Sequence, residues 1–311
     1  MKTEEIRVRD PFIYGDAETG TYYLYVQAAN RAGSGYQGVE AYASKDLVHW
    51  LPPRPVLTLP DDADATMVWA PEVHEFRGAF YLFVTLTSRR ELPQEKPVRS
   101  ADWPAMYVRG THIYRADKPT GPFQRLREGP HTPAHWMALD GTLYVEDGVP
   151  YMVFCHEWVQ MIDGTMDAVR LSDDLAGAAG DPRQLFKASD APGAHGDAAA
   201  GKVTDGCFLY RSAVSGKLMM IWSTFLTGRG YCVLATESES GRVDGPWTKQ
   251  TPIYEENGGH GMLFRTFDGR LLLALHQPNS GGDERLHLFE MADDGQSLAI
   301  LGEVSPESLQ R

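Results

Sequence analysis

One short pattern occurs five times along this chain, and that recurrence limits the possible fold more than any other feature. A small or acidic residue, then Gly or Pro, then apolar residues entering a strand appear at Asp10-Pro11-Phe12-Ile13, Ala70-Pro71-Glu72-Val73, Asp140-Gly141-Thr142-Leu143, Asp205-Gly206-Cys207-Phe208 and His260-Gly261-Met262-Leu263. The copies are spaced by roughly 55 to 70 residues, the period of a supersecondary unit that must stack on its neighbours to bury its faces. Each head is followed by a turn and a second apolar strand: Tyr22 to Val26, Phe80 to Val84, Tyr151 to Phe154, Lys217 to Trp222 and Leu271 to Leu275. Units of about four short antiparallel strands predict an all-β, five-bladed β-propeller, with residues 1–311 as a single domain. A β-sandwich does not predict a common repeat of this length.

Three aromatic residues at the closing turns, Trp50, Phe123 and Trp247, suit packing between blades. Two stretches interrupt the pattern, Ser88 to Arg109 and Ser189 to Thr204, and both read as loops over one mouth of the ring.

The net charge is −13 and Lys and Arg are not clustered, which argues against nucleic acid or an anionic membrane as partner and is compatible with a neutral substrate. Cys155, Cys207 and Cys232 are widely separated, with no metal or disulfide spacing, and read as buried thiols. No apolar run is long enough to span a bilayer, and Met1 to Glu5 has no apolar core of a leader, so the chain as given reads as cytoplasmic. Nothing in the sequence specifies an oligomeric state.

In a propeller the first strand of each blade leaves the mouth and the second returns to it. The mouth therefore gathers Asp10, Glu72, Asp140, Asp205 and His260 from strand heads, and His156, Glu157 and His276 from the ends of second strands, with Trp69, Trp136 and Trp158 nearby. Carboxylates beside aromatic platforms suit glycoside hydrolysis: one ionised to activate water, one protonated to assist the leaving oxygen, and rings on which sugar faces stack. Trp69 and Trp158 are candidate platforms. Glu72, His156, His260 and His276 are candidate substrate contacts, and His156 and His276 equally suit satisfied buried histidines. Arg9 either braces Asp10 or is exposed.

In their order and blade positions, the heads at Arg9-Asp10-Pro11-Phe12, Trp69-Ala70-Pro71-Glu72-Val73, Asp140-Gly141-Thr142-Leu143-Tyr144, Asp205-Gly206-Cys207-Phe208-Leu209-Tyr210 and Gly258-Gly259-His260-Gly261 resemble those of glycoside hydrolase family 43. The resemblance implies an inverting glycosidase acting on arabinofuranoside- or xyloside-containing oligosaccharides of plant polysaccharides. Asp10 would be the general base and Asp140 the residue that tunes and orients the acid. The chain departs from the family at the acid, carrying Asp205 where a Glu is usual, which places the carboxyl about 1 Å further back. Either Asp205 is the acid, or Glu157 has taken the role. Two alternatives remain, a non-catalytic sugar-binding propeller and a retaining propeller glycosidase of another family. No cofactor is required by this chemistry. The resemblance also implies an optional Ca²⁺ near His260, although no loop is dense in oxygen ligands.

Overall fold

Aromatic and β-branched residues alternating with polar ones, broken by Gly and Asp turns, form short pleated strands with one or both faces buried. The computed structural model describes residues 1–93, 103–195, 201–279 and 281–309. Among them the strands form five antiparallel sheets, each in chain order apart from one extra edge. Blade one holds β1 (Phe12–Asp16), β2 (Thr21–Gln27), β3 (Gly38–Ser44) and β4 (Arg54–Thr58). Blade two holds β5 (Met67–Phe76), β6 (Ala79–Glu91), β7 (Tyr107–Ala116) and β8 (Gln124–Arg125). Blade three holds β9 (Ala138–Glu146), β10 (Val149–His156), β11 (Thr165–Arg170) and β12 (Arg183–Lys187). Blade four holds β13 (Ala194–His195), β14 (Asp205–Arg211), β15 (Leu218–Leu226), β16 (Gly230–Ser238) and β17 (Trp247–Tyr254). Blade five holds β18 (Gly259–Arg265), β19 (Leu271–Gln277), β20 (Arg285–Asp293) and β21 (Leu298–Glu303).

The first strands close a ring: β1 touches β5, β5 touches β9, β9 touches β14, β14 touches β18, and β18 returns to β1. This is the five-bladed propeller expected from the repeat. Apolar clusters fill the spaces between blades, with Trp222, Tyr25, Phe83 and Phe154 buried completely. Trp50, Phe123 and Trp247 are buried in these clusters, in keeping with packing rather than recognition.

The two predicted loops are shorter than expected. β6 and β7 continue through Glu91 and from Tyr107, with Thr87 opposite Arg109 and Glu91 opposite Tyr107, because both strands keep a partner beyond the blade's edge. Of that loop, residues 94–102 lie outside the described residues. In the second, Ala194 and His195 form β13 against Leu226 and Phe225, and 196–200 lie outside the described residues. Among the described residues no helix is long and apolar enough to cross a membrane.

The ring is latched where its ends meet. The Val8 amide donates to the Glu284 carbonyl at 3.1 Å, and Ile6 and Val8 pack with Leu286 and Leu288 of blade five. The Glu284 carboxylate, 2% exposed, takes Arg7 at 3.2 Å and Arg9 at 3.4 Å. Glu284→Ala is expected to lower unfolding free energy by about 1–3 kcal/mol, the usual worth of hydrogen bonds to charged groups. Urea denaturation measures it; an unchanged midpoint would show that the latch depends on apolar packing alone.

Candidate active site

The central side chains are aimed inward by one backbone device used around the ring. In β5, β9, β14 and β18 two residues stand opposite one on the second strand: Ala70-Pro71, Asp140-Gly141, Gly206-Cys207 and His260-Gly261. These are β-bulges, which re-aim side chains and concentrate near active sites. The first residue of each lies in the left-handed region, Ala70 at φ 41°, Asp140 at 55°, Gly206 at 52° and His260 at 50°, and Asp10, just before β1, matches them at 54°. Asp and His tolerate this conformation better than most residues. The strained amides are secured by the preceding blade: Asp10 N–H donates to His276 Nδ1 (3.2 Å), Asp140 N–H to Thr85 Oγ1 (2.9 Å) and His260 N–H to Ser223 Oγ (2.9 Å).

This register corrects the sequence alignment of blade four. The residue level with Asp10 and Asp140 is Gly206, and Asp205 is level with Arg9, Trp69 and Gly259. A Cβ at residue 206 would stand 2.8 Å from His260 Cα, so the bulge must be glycine and the carboxylate comes from the residue before it.

His260 sits among the acids. Its Nδ1 is 3.3 Å from Asp10 Oδ1, 3.5 Å from Asp205 Oδ1 and 3.9 Å from Asp140 Oδ2. The first two distances share one nitrogen, which caps the separation of the Asp10 and Asp205 oxygens at their sum, 6.8 Å. Burial opposes charge on His260, but Asp10 and Asp205 prevail and hold its pKa up at about 9. Burial pushes Asp140 well above the ordinary carboxyl range, and the Asp205 charge adds to it. Burial would raise Asp205 too, but hydrogen bonds from Asp140, His260 and Tyr231 outweigh it and keep Asp205 low; the Tyr231 hydroxyl donates to Oδ2 at 2.6 Å. Asp140 and Asp205 thus share a proton, and Asp205 is the member nearer solvent, with its side chain 22% exposed against 4%. Beneath Asp10, burial drives His276 down to about 4. Its Nδ1 accepts the Asp10 amide, so Nε2 carries the hydrogen and donates to Asn279 Oδ1 at 3.2 Å.

A cleft of about 160 Å³ opens beside these groups. Asp140, Glu157, Asp205, Trp69 and Trp158 line it, and Asp10, His260 and His276 lie buried behind it. Burial raises the Glu157 pKa against the pull of Arg109, whose Nη1 is 2.6 Å away. Arg109 also donates to Thr87 Oγ1 (2.8 Å) and lies 5.4 Å from the Trp69 ring, while Trp69 Nε1 donates to the same Thr87 oxygen (3.1 Å). Trp103 meets Trp158 edge-on at 5.3 Å.

Glu72 and His156 do not line the cleft either. Glu72 directly follows the blade-two bulge, its charge helps raise the His260 pKa, and His74 Nε2 lies 2.9 Å from its carboxylate. His156 stacks on Trp136 at 4.0 Å and bonds Gln160, because β10 turns into a short helix just after it. Sequence reasoning overlooked Arg109, Tyr231 and Asn279. Only Asn279 carried a signal, its place at the end of a second strand. Asp140, Asp205 and His260 bring one ligand atom each within 4.8 Å of one another. This set is short of the six to eight oxygens that calcium takes from protein and water.

A family model described as glycosyl hydrolases family 43 matches residues 4–296. An endo-arabinase structure from Bacteroides thetaiotaomicron is 36% identical, covering 94% of this chain and 97% of its own, with a TM-score of 0.81. An endo-1,4-beta-xylanase from the same organism is 22% identical, covering 96% and 95%, with a TM-score of 0.73. An alpha-L-arabinofuranosidase from Lactobacillus brevis is 17% identical, covering 98% and 99%, also at 0.73. No curated protein matches the sequence. With carboxylates converging on the axis of a five-bladed propeller and the family model spanning nearly its whole length, the chain belongs to glycosyl hydrolases family 43 and is a glycosidase.

Proposed function

We propose that the protein is an inverting glycosidase acting on arabinofuranosyl linkages of arabinan-type polysaccharide, with xylosides as the second choice. The order follows the identities, 36% to an endo-arabinase against 22% to an endo-xylanase. The observation that carries the mechanism is the cluster of Asp10, Asp205 and Asp140 about His260.

Asp10, ionised, takes a proton from water as the water oxygen bonds to the anomeric carbon. The bond to the leaving oxygen breaks, and the proton that rests on Asp140 passes through Asp205 to that oxygen, leaving Asp140 ionised. The cycle ends with Asp10 protonated and the pair short of one proton, and exchange with solvent restores both. His260, positively charged, faces both carboxylates and helps hold Asp205 low in spite of burial. The 6.8 Å ceiling between their oxygens admits both the roughly 5–5.5 Å of retaining pairs and the low end of the roughly 6.5–9.5 Å of inverting ones, so inversion rests on the resemblance to the family and is read from the product. Glu157 is the weaker candidate for the acid because its carboxylate is engaged by Arg109.

With Asp10→Ala as the inactive blank, Asp205→Ala is expected to lose about 10²–10⁴-fold on a natural linkage yet keep most activity on an aryl glycoside with a good leaving group. The same split in Glu157→Gln, and none in Asp205→Ala, would transfer the acid to Glu157. NMR of the first product formed should show inverted anomeric configuration; retained configuration would sink the mechanism. Activity is expected to survive exhaustive chelation, whereas loss reversed by added Ca²⁺ would put an ion, rather than a proton on His260, among the carboxylates.

A further inference from the structure

Asn279 forms the blade-five wall of the catalytic cleft, two residues past the end of β19. Its backbone amide donates to the Asn257 carbonyl at 2.8 Å, which holds it against the link into β18. Its side chain is oriented by the residue that also supports the base. The Asp10 amide donates to His276 Nδ1, so that nitrogen carries no hydrogen, and burial keeps the ring neutral. A neutral imidazole then bears its hydrogen on Nε2. That hydrogen is donated to Asn279 Oδ1 at 3.2 Å, which decides how the amide lies: its carbonyl end faces His276 and its NH₂ end is turned away.

The NH₂ group has no hydrogen-bond partner among the described residues, and it is not sealed off: Asn279 is only partly buried and lines the cleft. Neighbouring hydroxyls there are already donating, Tyr231 to Asp205 and Thr204 to the Thr165 carbonyl at 3.1 Å. The adjacent cation, Arg9, is drawn to Glu284 at 3.4 Å and lies 3.8 Å from Asp10. An amide donor suits the oxygen of a sugar hydroxyl. It has no proton to exchange at working pH, so it can grip the substrate beside Asp140 and Asp205 without disturbing their charge.

We propose that Asn279 is a sugar-binding residue of the active site, its N–H group donating to a hydroxyl oxygen of the glycosyl unit whose bond is cleaved. Through His276 the same side chain is tied to the backbone of Asp10, so sugar, Asn279, His276 and base form one hydrogen-bonded chain. The role of Asp10 as base rests on the glycosidase reading above. A site that hydrogen-bonds a hydroxyl rejects the analogue lacking it, because the protein group is then left unpaired.

The test compares the aryl glycoside that is turned over, arabinofuranoside or xyloside, with analogues each lacking one hydroxyl. For one hydroxyl, deletion should cost the wild type about five- to a hundredfold more in kcat/KM than it costs Asn279→Ala. Asn279→Asp keeps an oxygen toward His276 but offers no donor, and should not rescue the parent substrate. Losses that multiply for every analogue, or rescue by Asn279→Asp, would reduce Asn279 to a brace for His276 and overturn the proposal. Calorimetry of arabinobiose and xylobiose on the Asp10→Ala protein reads the contact without turnover, and adding Asn279→Ala should weaken binding about three- to tenfold. Weakened binding in an enzyme that hydrolyses neither sugar would defeat the glycosidase reading and leave the contact standing. Hydrolysis and binding both indifferent to Asn279→Ala would defeat the contact alone.

Discussion

A hydrogen bond from the bulge residue of one blade to the end of the second strand of the blade before it holds the centre of the molecule. It is made at Asp10, Asp140 and His260, by His276, Thr85 and Ser223. A non-glycine residue in the left-handed region costs of order 1–3 kcal/mol, and such strain persists only where the surroundings impose it. Here the imposing group belongs to another blade, so each strained head depends on the ring being closed. The latch at Glu284, between the chain start and blade five, therefore supports the site as well as the fold.

The second constraint is charge. Three aspartates converge beside one histidine in a nearly dry centre, and separate ionisation of all three would be prohibitive. Two adjustments resolve this. His260 becomes a cation that faces all three carboxylates, and Asp140 and Asp205 divide one proton between them. Such a division of charge is what lets base and acid chemistry coexist at one pH. Asp205, the more exposed of the pair, is also tethered by the Tyr231 hydroxyl, which fixes where its carboxyl points.

Strands and hairpins were legible because alternation and turn residues are local. The repeat of the heads led directly to five blades, and Asp10, Asp140, Asp205, Glu157, Trp69 and Trp158 all reach the site or its walls. Blade four was misaligned by one residue because the need for glycine at residue 206 arises from His260, 54 positions away and on another blade. Glu72 reaches His260 through its charge without lining the cleft, and His156 is held by Trp136 and Gln160, contacts made by segments outside the repeat. Arg109 was hidden at the margin of an expected loop, which the structure converts into paired strand.

By itself the sequence determined the blade count, the strands and the supply of acids, since hydrophobic alternation, turn chemistry and a repeat at constant spacing are properties of neighbours along the chain. Only the tertiary structure decided which side chains meet and which of two carboxylates holds a proton. Those outcomes depend on burial and on distances of a few ångströms between blades, and these exist only once the ring has closed.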